Sequence, residues 1–218
     1  MKRFNLSLLL LGPVILTGAA HADENHAIQH YSYSLDDINE VEINGGVGEM
    51  EIVHTDGDEI KIELELEGKR RYWIMNKRSV SEIELVQSTR GDKLKIGMND
   101  EDVKHVDIHW RIELPSVART KINLGVGRIE GEFADTELEL DVGVGAADIA
   151  VARSSAGRLE LHSGVGSAYL HGANNLVSKR AFTSEQTYGY GDGQLPMEFN
   201  VGVGEMKVRL TDNTLVSF

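Results

Sequence analysis

The residues with the types and spacing to do chemistry are few in this sequence. It has no cysteine, which excludes disulfides, thiolate nucleophiles and cysteine-based metal sites. His105, Asp107 and His109 alternate along a segment typical of a strand, where side chains four residues apart are separated by roughly 13 Å. Two imidazoles cannot share one metal ion across that distance, because metal–nitrogen bonds measure about 2 Å. We therefore predict no metal, no cofactor and no catalytic residue.

One basic segment interrupts an otherwise acidic chain. The 218 residues include 35 acidic and 22 basic ones, for a net charge of −13, which argues against nucleic acid as a partner because its phosphates repel such a surface. The segment contains Lys69, Arg70, Arg71, Tyr72, Trp73, Lys77 and Arg78. Cations beside aromatic rings suit phosphate, lipid headgroups or anionic glycans, so we predict a binding segment here. The alternative is a solvated hairpin whose cations pair with nearby acids.

A polar side chain recurs two residues before the first glycine of a repeated tripeptide. The five positions are Asn44, Asn123, Asp141, His162 and Asn200. If the repeats stack, these side chains form a ladder on the surface, and polar ladders of this kind hydrogen-bond along the stack. The alternative role is a polar stripe that binds a glycan or another repetitive polymer.

The tripeptide is Gly-Val-Gly, and its five copies indicate the architecture that must position these side chains. Its glycines are Gly46 and Gly48, Gly125 and Gly127, Gly143 and Gly145, Gly164 and Gly166, and Gly202 and Gly204. Successive copies start 79, 18, 21 and 38 residues apart, close to multiples of a unit of about 20 residues, a length typical of solenoid repeats.

Apolar residues alternate before each tripeptide, as Val41 and Ile43 do, which is typical of a strand with one buried face. We expect the central valines to keep that inward parity. The next inward residue then comes three positions later, at Met50, Ile129, Ala147, Ala168 and Met206, so each strand must bend near its second glycine. The pattern predicts an all-β fold, a β-solenoid or β-helix-like stack of short strands with Gly-Val-Gly corners. A β-sandwich is the alternative, because short strands with regular turns describe it too.

Two segments depart from this regular pattern. Residues 80–86 and 94–98 flank the turn residues Arg90-Gly91-Asp92 and predict an inserted hairpin. Near the end of the chain, residues 189–192 (Gly-Tyr-Gly-Asp) look like a degenerate copy of the tripeptide. We expect residues 174–187 to form a polar insertion that leads to this copy.

Residues 1–22 have the features of a signal peptide, with a positive start, a short apolar core and a small-x-small motif at Ala20-His21-Ala22. The apolar core is too short to cross about 30 Å of hydrocarbon, and no cysteine follows it. We therefore predict a periplasmic or secreted protein that is not a lipoprotein. Residues 23–35 would form an N-terminal arm, and residues 36–218 one β-solenoid domain. We expect residues 31–35 and 210–218 to cover the open ends of the stack.

The sequence around the repeats resembles a known family. Ile112–Pro115, followed by Leu124–Gly127 and by the unit Val142–Ile149, is similar to the bacterial putative-adhesin family, a family of domains of unknown function. The Gly-Val-Gly-Glu runs at Gly46–Glu49 and Gly202–Glu205 resemble those of the related toast-rack envelope-stress proteins. The resemblance covers most of the β-solenoid domain and implies an adhesin-like, solenoid-like domain on the outer side of the membrane.

These observations favour a non-catalytic cell-envelope protein that offers a rigid surface to a glycan or a protein. One alternative is a docking partner of a membrane protein in envelope-stress sensing. The other is a carbohydrate-active enzyme on a β-helix, whose chemistry needs two positioned carboxylates in a groove. The acidic residues here alternate along strands as exposed positions, which disfavours the enzyme.

Overall fold

The computed structural model describes residues 25–68, 79–98 and 105–212. Its strands are β1 (His26–Ser34), β2 (Glu40–Thr55), β3 (Glu59–Gly68), β4 (Val86–Arg90), β5 (Lys93–Gly97), β6 (Val106–Pro115), β7 (Arg119–Phe133), β8 (Glu137–Ala152), β9 (Ala156–His171), β10 (Asn174–Ala181), β11 (Ser184–Tyr190) and β12 (Leu195–Thr211). They form one mixed, open sheet of 12 strands. The described residues contain one 3-10 turn, at Val80–Glu82, and no α-helix, so the all-β prediction is confirmed. No helix in these ranges is long and apolar enough to cross a bilayer.

The five strands that carry a Gly-Val-Gly copy lie side by side and run parallel. Their order is β2, β7, β8, β12 and β9. The copies are in register, since Val144 of β8 pairs with Val126 of β7 and with Val203 of β12. The spatial order of these strands differs from their order along the chain, because β12, the last strand, lies between β8 and β9. Its place at the end of the stack is taken by β11, which pairs with the other edge of β9.

Each of these strands bends at its tripeptide, so that both of its arms face the same interior. The second glycine of every copy has a φ between 140° and 147°, a region that L side chains rarely adopt. In β2, Val41 and Ile43 before the bend and Met50 and Ile52 after it are at most 2% exposed. All four belong to one apolar cluster that extends through the described sheet. The predicted parity break is therefore present, and it places the two arms around a common core.

The central valines do not point inward as expected. Val47, Val126, Val144, Val165 and Val203 are 46–48% exposed. Because the interior lies on the concave side of each bend, the residue at the corner points away from both arms. The inward alternation therefore ends before the valine and begins again three residues after it, as at Met50 in β2.

Beyond β2 the sheet divides into two wings. The first arm of β2 pairs with β5, and the second arm pairs with β6, which continues to β3 and β1. β4 and β5 form a hairpin with Gly91 at its turn (φ 64°), as predicted. Its first strand is residues 86–90 and not the expected 80–86, because Val80–Glu82 form a 3-10 turn. The Gln29 Nε2 of β1 donates to the Ile83 carbonyl oxygen (2.8 Å) just before that hairpin. This contact links the two wings at the β2 end of the stack.

At the opposite end, the hairpin formed by β10 and β11 covers β9. β11 runs antiparallel to the first arm of β9. The expectation that residues 189–192 form a degenerate copy of the repeat is therefore wrong, because they do not add a further parallel strand to the stack. The Thr183 carbonyl oxygen accepts a hydrogen bond from the Gly166 amide (3.0 Å), and the Thr187 hydroxyl donates to the Ala168 carbonyl oxygen (3.0 Å). These bonds satisfy backbone groups on the second arm of β9, which has no strand partner on that side.

The two predicted end caps have different outcomes. Residues 26–34 of the N-terminal arm form β1, the edge strand next to β3. At the other end of the chain, Leu210 belongs to β12, an inner strand of the stack, and is buried. Residues 210–212 therefore do not cover an end of the stack, and residues 213–218 lie outside the described residues. The hairpin of β10 and β11 has that role instead.

Candidate binding surface

The predicted basic segment, residues 69–78, lies outside the described residues. It follows Gly68, the last residue of β3. Its role in binding therefore stays a prediction. The candidate surface consists of other residues, on the parallel stack and on β5 beside it.

The glycine pairs form two columns across the stack, and at every one of these positions except Gly46 a Cβ atom would overlap the backbone of a neighbouring strand. A Cβ atom added to Gly145 of β8 would lie 1.7 Å from the Gly127 carbonyl oxygen of β7. The same overlap recurs one strand further, where a Cβ on Gly204 of β12 would lie 1.7 Å from the Gly145 carbonyl oxygen. The columns therefore allow adjacent backbones to approach closely at the bend.

Between these columns the five central valines form an exposed line, which we call the valine ridge. In stack order it consists of Val47, Val126, Val144, Val203 and Val165. Strands are about 4.8 Å apart, so four steps make a ridge roughly 19 Å long. Contiguous exposed apolar groups on a soluble protein commonly mark an interaction site, and this ridge repeats one contact at a constant spacing.

The predicted polar positions lie in register beside the valine ridge. In stack order they are Asn44, Asn123, Asp141, Asn200 and His162. Asn123 Nδ2 donates to Asn44 Oδ1 (3.0 Å), and Asn200 Nδ2 donates to Asp141 Oδ1 (2.9 Å). All five side chains are half-buried, so they keep an accessible side. The structure thus brings together a polar row with internal hydrogen bonds and an apolar row three residues further along each strand.

Ion pairs hold the charged side chains on the outer face of the first arms. Lys93 Nζ and Lys95 Nζ each lie 2.8 Å from a carboxylate oxygen of Glu42. Burial opposes ionisation of Glu42, but hydrogen bonds from Lys93, Lys95 and Asn44 outweigh it and lower the pKa to about 2. Lys121 pairs with Glu139 on the next strand and lies 3.7 Å from Asp141.

We expect the Glu42 ion pairs to make stability depend on pH. The folded-state pKa is below the ordinary value of 4.5, so the ionised carboxylate stabilises the fold above that pH and loses its effect as pH falls towards 2. Between pH 6 and pH 2.5 the wild type should lose about 1 kcal/mol more unfolding free energy than Glu42→Gln. Urea unfolding at pH 6, 4 and 2.5 measures this difference. Parallel pH profiles for the two proteins would contradict it, and Glu51→Gln, an exposed carboxylate on the second arm of β2, is the control.

The alternating His105, Asp107 and His109 do not converge on one point. His105 precedes β6, whereas Asp107 and His109 are exposed along it. His109 Nδ1 lies 3.4 Å from Glu49 Oε2, on the neighbouring strand. Within residues 25–68, 79–98 and 105–212, no group of three or more histidines and carboxylates has a geometry suited to a metal ion.

The valine ridge is the part of this surface that the sequence pattern missed. Alternation extrapolated through the tripeptide placed the valines inside. The signal that could have identified them is the pair of glycines that flanks every valine. A strand that bends at two glycines on either side of one residue turns that residue's side chain to the convex side, whichever parity its first arm has.

The fold occurs in a known protein of similar length. A putative cell adhesion protein from Clostridium sporogenes aligns with 85% of this chain and 100% of its own, with a TM-score of 0.51 and 15% sequence identity. A putative adhesin from Parabacteroides merdae matches 83% of this chain and 80% of its own at 10% identity, with a TM-score of only 0.25. At the level of the fold, the Clostridium sporogenes protein confirms the resemblance to bacterial putative adhesins. No family model matches the chain, and no curated protein matches it.

Proposed function

We propose that this protein is a non-catalytic, exported protein of the cell envelope that binds a repetitive ligand, as an adhesin does. Its bent parallel strands would act as a short β-solenoid, a rigid scaffold for that ligand. The observation that carries the proposal is the five-fold, in-register repetition of an exposed valine beside a polar side chain. A ligand that repeats along its own length can make the same contact at each strand.

A glycan chain is the ligand that this surface supports best. Sugar rings have apolar faces and hydroxyl edges, so a chain lying along the valine ridge would place its hydroxyls near the row of Asn and Asp side chains. Small polar side chains and ridge valines at fixed positions require little ordering on binding, and such preorganisation favours affinity. The carboxylates at the outer face support the non-catalytic assignment, because pairs such as Glu139 with Lys121 are neutralised by cations.

The test compares wild type with the triple variant Val126→Thr, Val144→Thr and Val203→Thr. Threonine keeps the shape and strand preference of valine but replaces one exposed methyl group by a hydroxyl. With about 0.5–1 kcal/mol lost at each position, affinity for the polymer should fall tenfold or more. Affinity electrophoresis in gels that contain purified neutral polysaccharides, together with sedimentation on isolated peptidoglycan, measures the change.

Val86→Thr is the matched control, because Val86 is similarly exposed (58%) but lies on β4, away from the ridge. Equal retention of the triple variant and wild type on every polymer that binds would refute the role of the ridge. If no polymer binds and crosslinking in cells captures one dominant membrane protein, the docking alternative is favoured instead. The basic segment at residues 69–78 is a second candidate contact, which the double variant Arg70→Gln and Arg71→Gln would test in the same assay.

A further inference from the structure

β1 forms the outer edge of the sheet at the β2 end of the stack. Within the described residues it pairs only with β3. It is the third strand beyond β2 on its wing, whereas β4, the edge of the other wing, is the second strand beyond β2. A molecule that approaches this end of the stack therefore meets β1 first.

Alternate backbone groups of β1 face away from β3. The Gly68 amide donates to the Asn25 carbonyl oxygen (2.8 Å), and the Leu35 amide donates to the Asp58 carbonyl oxygen (2.8 Å). Since bonded residues alternate in an antiparallel pair, the odd-numbered residues of β1 bond to β3 along its continuous register. The N–H and C=O groups of the even-numbered residues, with His30 at the centre, therefore point to the outer edge, where they form a template for another strand.

This edge lacks the features that usually keep edge strands from pairing. The nine residues of β1 contain no proline, glycine, lysine, arginine, aspartate or glutamate, and they keep one register with β3 throughout. β10, the edge strand at the opposite end, has a bulge between Asn174 and Val177 and contains Lys179 and Arg180. Bulges and cations are devices that prevent pairing at an edge. The protein thus has such devices on β10 and lacks them on β1.

Side chains on its inner side hold β1 in place. Gln29 Nε2 donates to the carbonyl oxygens of Ser81 (3.3 Å) and Ile83 (2.8 Å). Gln29 Oε1 accepts a hydrogen bond from the Tyr31 hydroxyl (2.7 Å), and the rings of Tyr31 and Tyr33 stack with their centroids 6.5 Å apart. An edge strand that is already fixed in this way requires little ordering when it pairs, and such preorganisation favours association.

We propose that β1 pairs with β1 of a second copy of this chain, antiparallel across a two-fold axis at His30. The axis brings all nine residues of each strand into register and places Ile28, which is 37% exposed, opposite the partner's Ser32. Main-chain hydrogen bonds of the even-numbered residues hold the two strands together, as in other cases of strand addition. The inference does not depend on the proposed function, because no ligand takes part in it.

The distribution of charge allows β1 to pair with itself. His26 and His30 are its only basic side chains, and free imidazole is uncharged at pH 8. They lie 2.9 Å and 3.6 Å from carboxylate oxygens of Glu65 and Glu63 on β3. In the dimer the two β3 strands are three strand spacings apart, about 14 Å, which exceeds the Debye length of about 10 Å at 0.1 M salt. Repulsion between these carboxylates is therefore largely screened.

The assembly should stop at two copies. A two-fold contact uses the open edge of both chains, and β10 at the far end of each stack has its bulge and cations. The contact is a strip roughly 30 Å long and one strand wide. Because this is smaller than an interface of standard size, the dimer should be weak and depend on concentration.

Sedimentation velocity of the full exported chain at pH 8, over a wide range of concentration, tests for the dimer. Two double variants test its register. The like-charge variant, Ile28→Lys with Ser32→Lys, places lysine opposite lysine across the axis, whereas the opposite-charge variant, Ile28→Lys with Ser32→Glu, places lysine opposite glutamate. Within one chain the two positions are roughly 13 Å apart, so the variants differ mainly in the contact between copies. Circular dichroism checks that each variant is folded.

We expect wild type to shift from monomer to dimer as its concentration rises. The like-charge variant should dimerise at least tenfold more weakly than the opposite-charge variant, because like charges directly opposite each other destabilise a strand pair and unlike charges stabilise it. Both lose the contact of Ile28, so the difference between them reports on the register alone.

Crosslinking locates the contact independently. The chain has no cysteine, so one introduced cysteine gives one defined site. A short bis-maleimide should join His30→Cys to a second copy, because residues on the axis face each other. Val177→Cys, on the edge strand β10, is the matched control and should stay monomeric.

The proposal is overturned if wild type stays monomeric at every concentration, or if the two double variants dimerise equally. Equal crosslinking of His30→Cys and Val177→Cys would overturn it too, and so would species that grow beyond two copies, which indicate head-to-tail addition. Weak dimerisation of the like-charge variant alone, together with crosslinking of His30→Cys, supports the proposal whether or not the protein binds a glycan.

Discussion

Replacing Gly145 by alanine is expected to lower the free energy of unfolding by about 4 kcal/mol or to prevent folding. Two effects add at this residue. Its φ of 147° is strained for any L side chain, and the new Cβ would lie 1.7 Å from the carbonyl oxygen of Gly127 on the adjacent strand. Since that oxygen belongs to a backbone that is hydrogen-bonded on both sides of the stack, it cannot move without separating β7 from β8.

Two other glycines separate the causes of this effect. Gly91, at the turn between β4 and β5, has a φ of 64° and open space around it, so Gly91→Ala should cost only about 1 kcal/mol, for the backbone strain alone. Gly57 has neither a positive φ nor a neighbouring atom within 4 Å of an added Cβ, and Gly57→Ala should be neutral within about 0.5 kcal/mol. Urea unfolding of the three variants tests the series. A Gly145→Ala protein as stable as Gly91→Ala would show that the strands are not so closely packed at the bend.

Replacing Phe199 by alanine is expected to destabilise the protein by about 3–5 kcal/mol. Phe199 lies on β12, the inner strand that joins β8 to β9, and its side chain is fully buried. It pairs in register with Leu140 on one side and Leu161 on the other, both of them also fully buried. Neighbouring strands fix the positions of these residues, so the space that the ring leaves cannot collapse fully. Urea unfolding, with the slope checked for two-state behaviour, measures the loss.

Phe182→Ala is the matched control, because the same substitution is made at a fully exposed ring. It should change the free energy of unfolding by no more than about 0.5 kcal/mol. If Phe199→Ala proved as mild as Phe182→Ala, β12 would not be the inner strand of the stack. The pair of variants therefore tests the unexpected strand order, which has the chain's last described strand between two earlier ones.

The valine ridge and the core are produced by the same five tripeptides, and this explains why the surface is so regular. The glycines permit the close approach of backbones that aligns the strands, and that alignment places the valines in one line. A change that disturbs the glycine columns should therefore damage both stability and the binding surface. Changes to the valines, such as Val144→Thr, should affect binding alone, since the ridge side chains are half exposed and lie outside the apolar core.

Much of the arrangement within each repeat follows from the sequence alone. Alternation of apolar residues identifies the strands, and the displaced phase at Met50 or Met206 identifies the bend and the residues that face the core. The recurrence of Asn44 and its counterparts beside the tripeptide also predicts that they share a row if the strands stack. These features are local, because side-chain direction along a strand depends only on its period of two residues and on where a glycine interrupts it.

Only the tertiary structure decided the order of the strands and the direction of the valines. Pairing between strands distant in sequence depends on which sheet edges are free, and β11 occupies the edge of β9 that β12 would otherwise extend. The direction of Val144 depends on which side of the bend is concave, and that is determined by both arms packing around a common core.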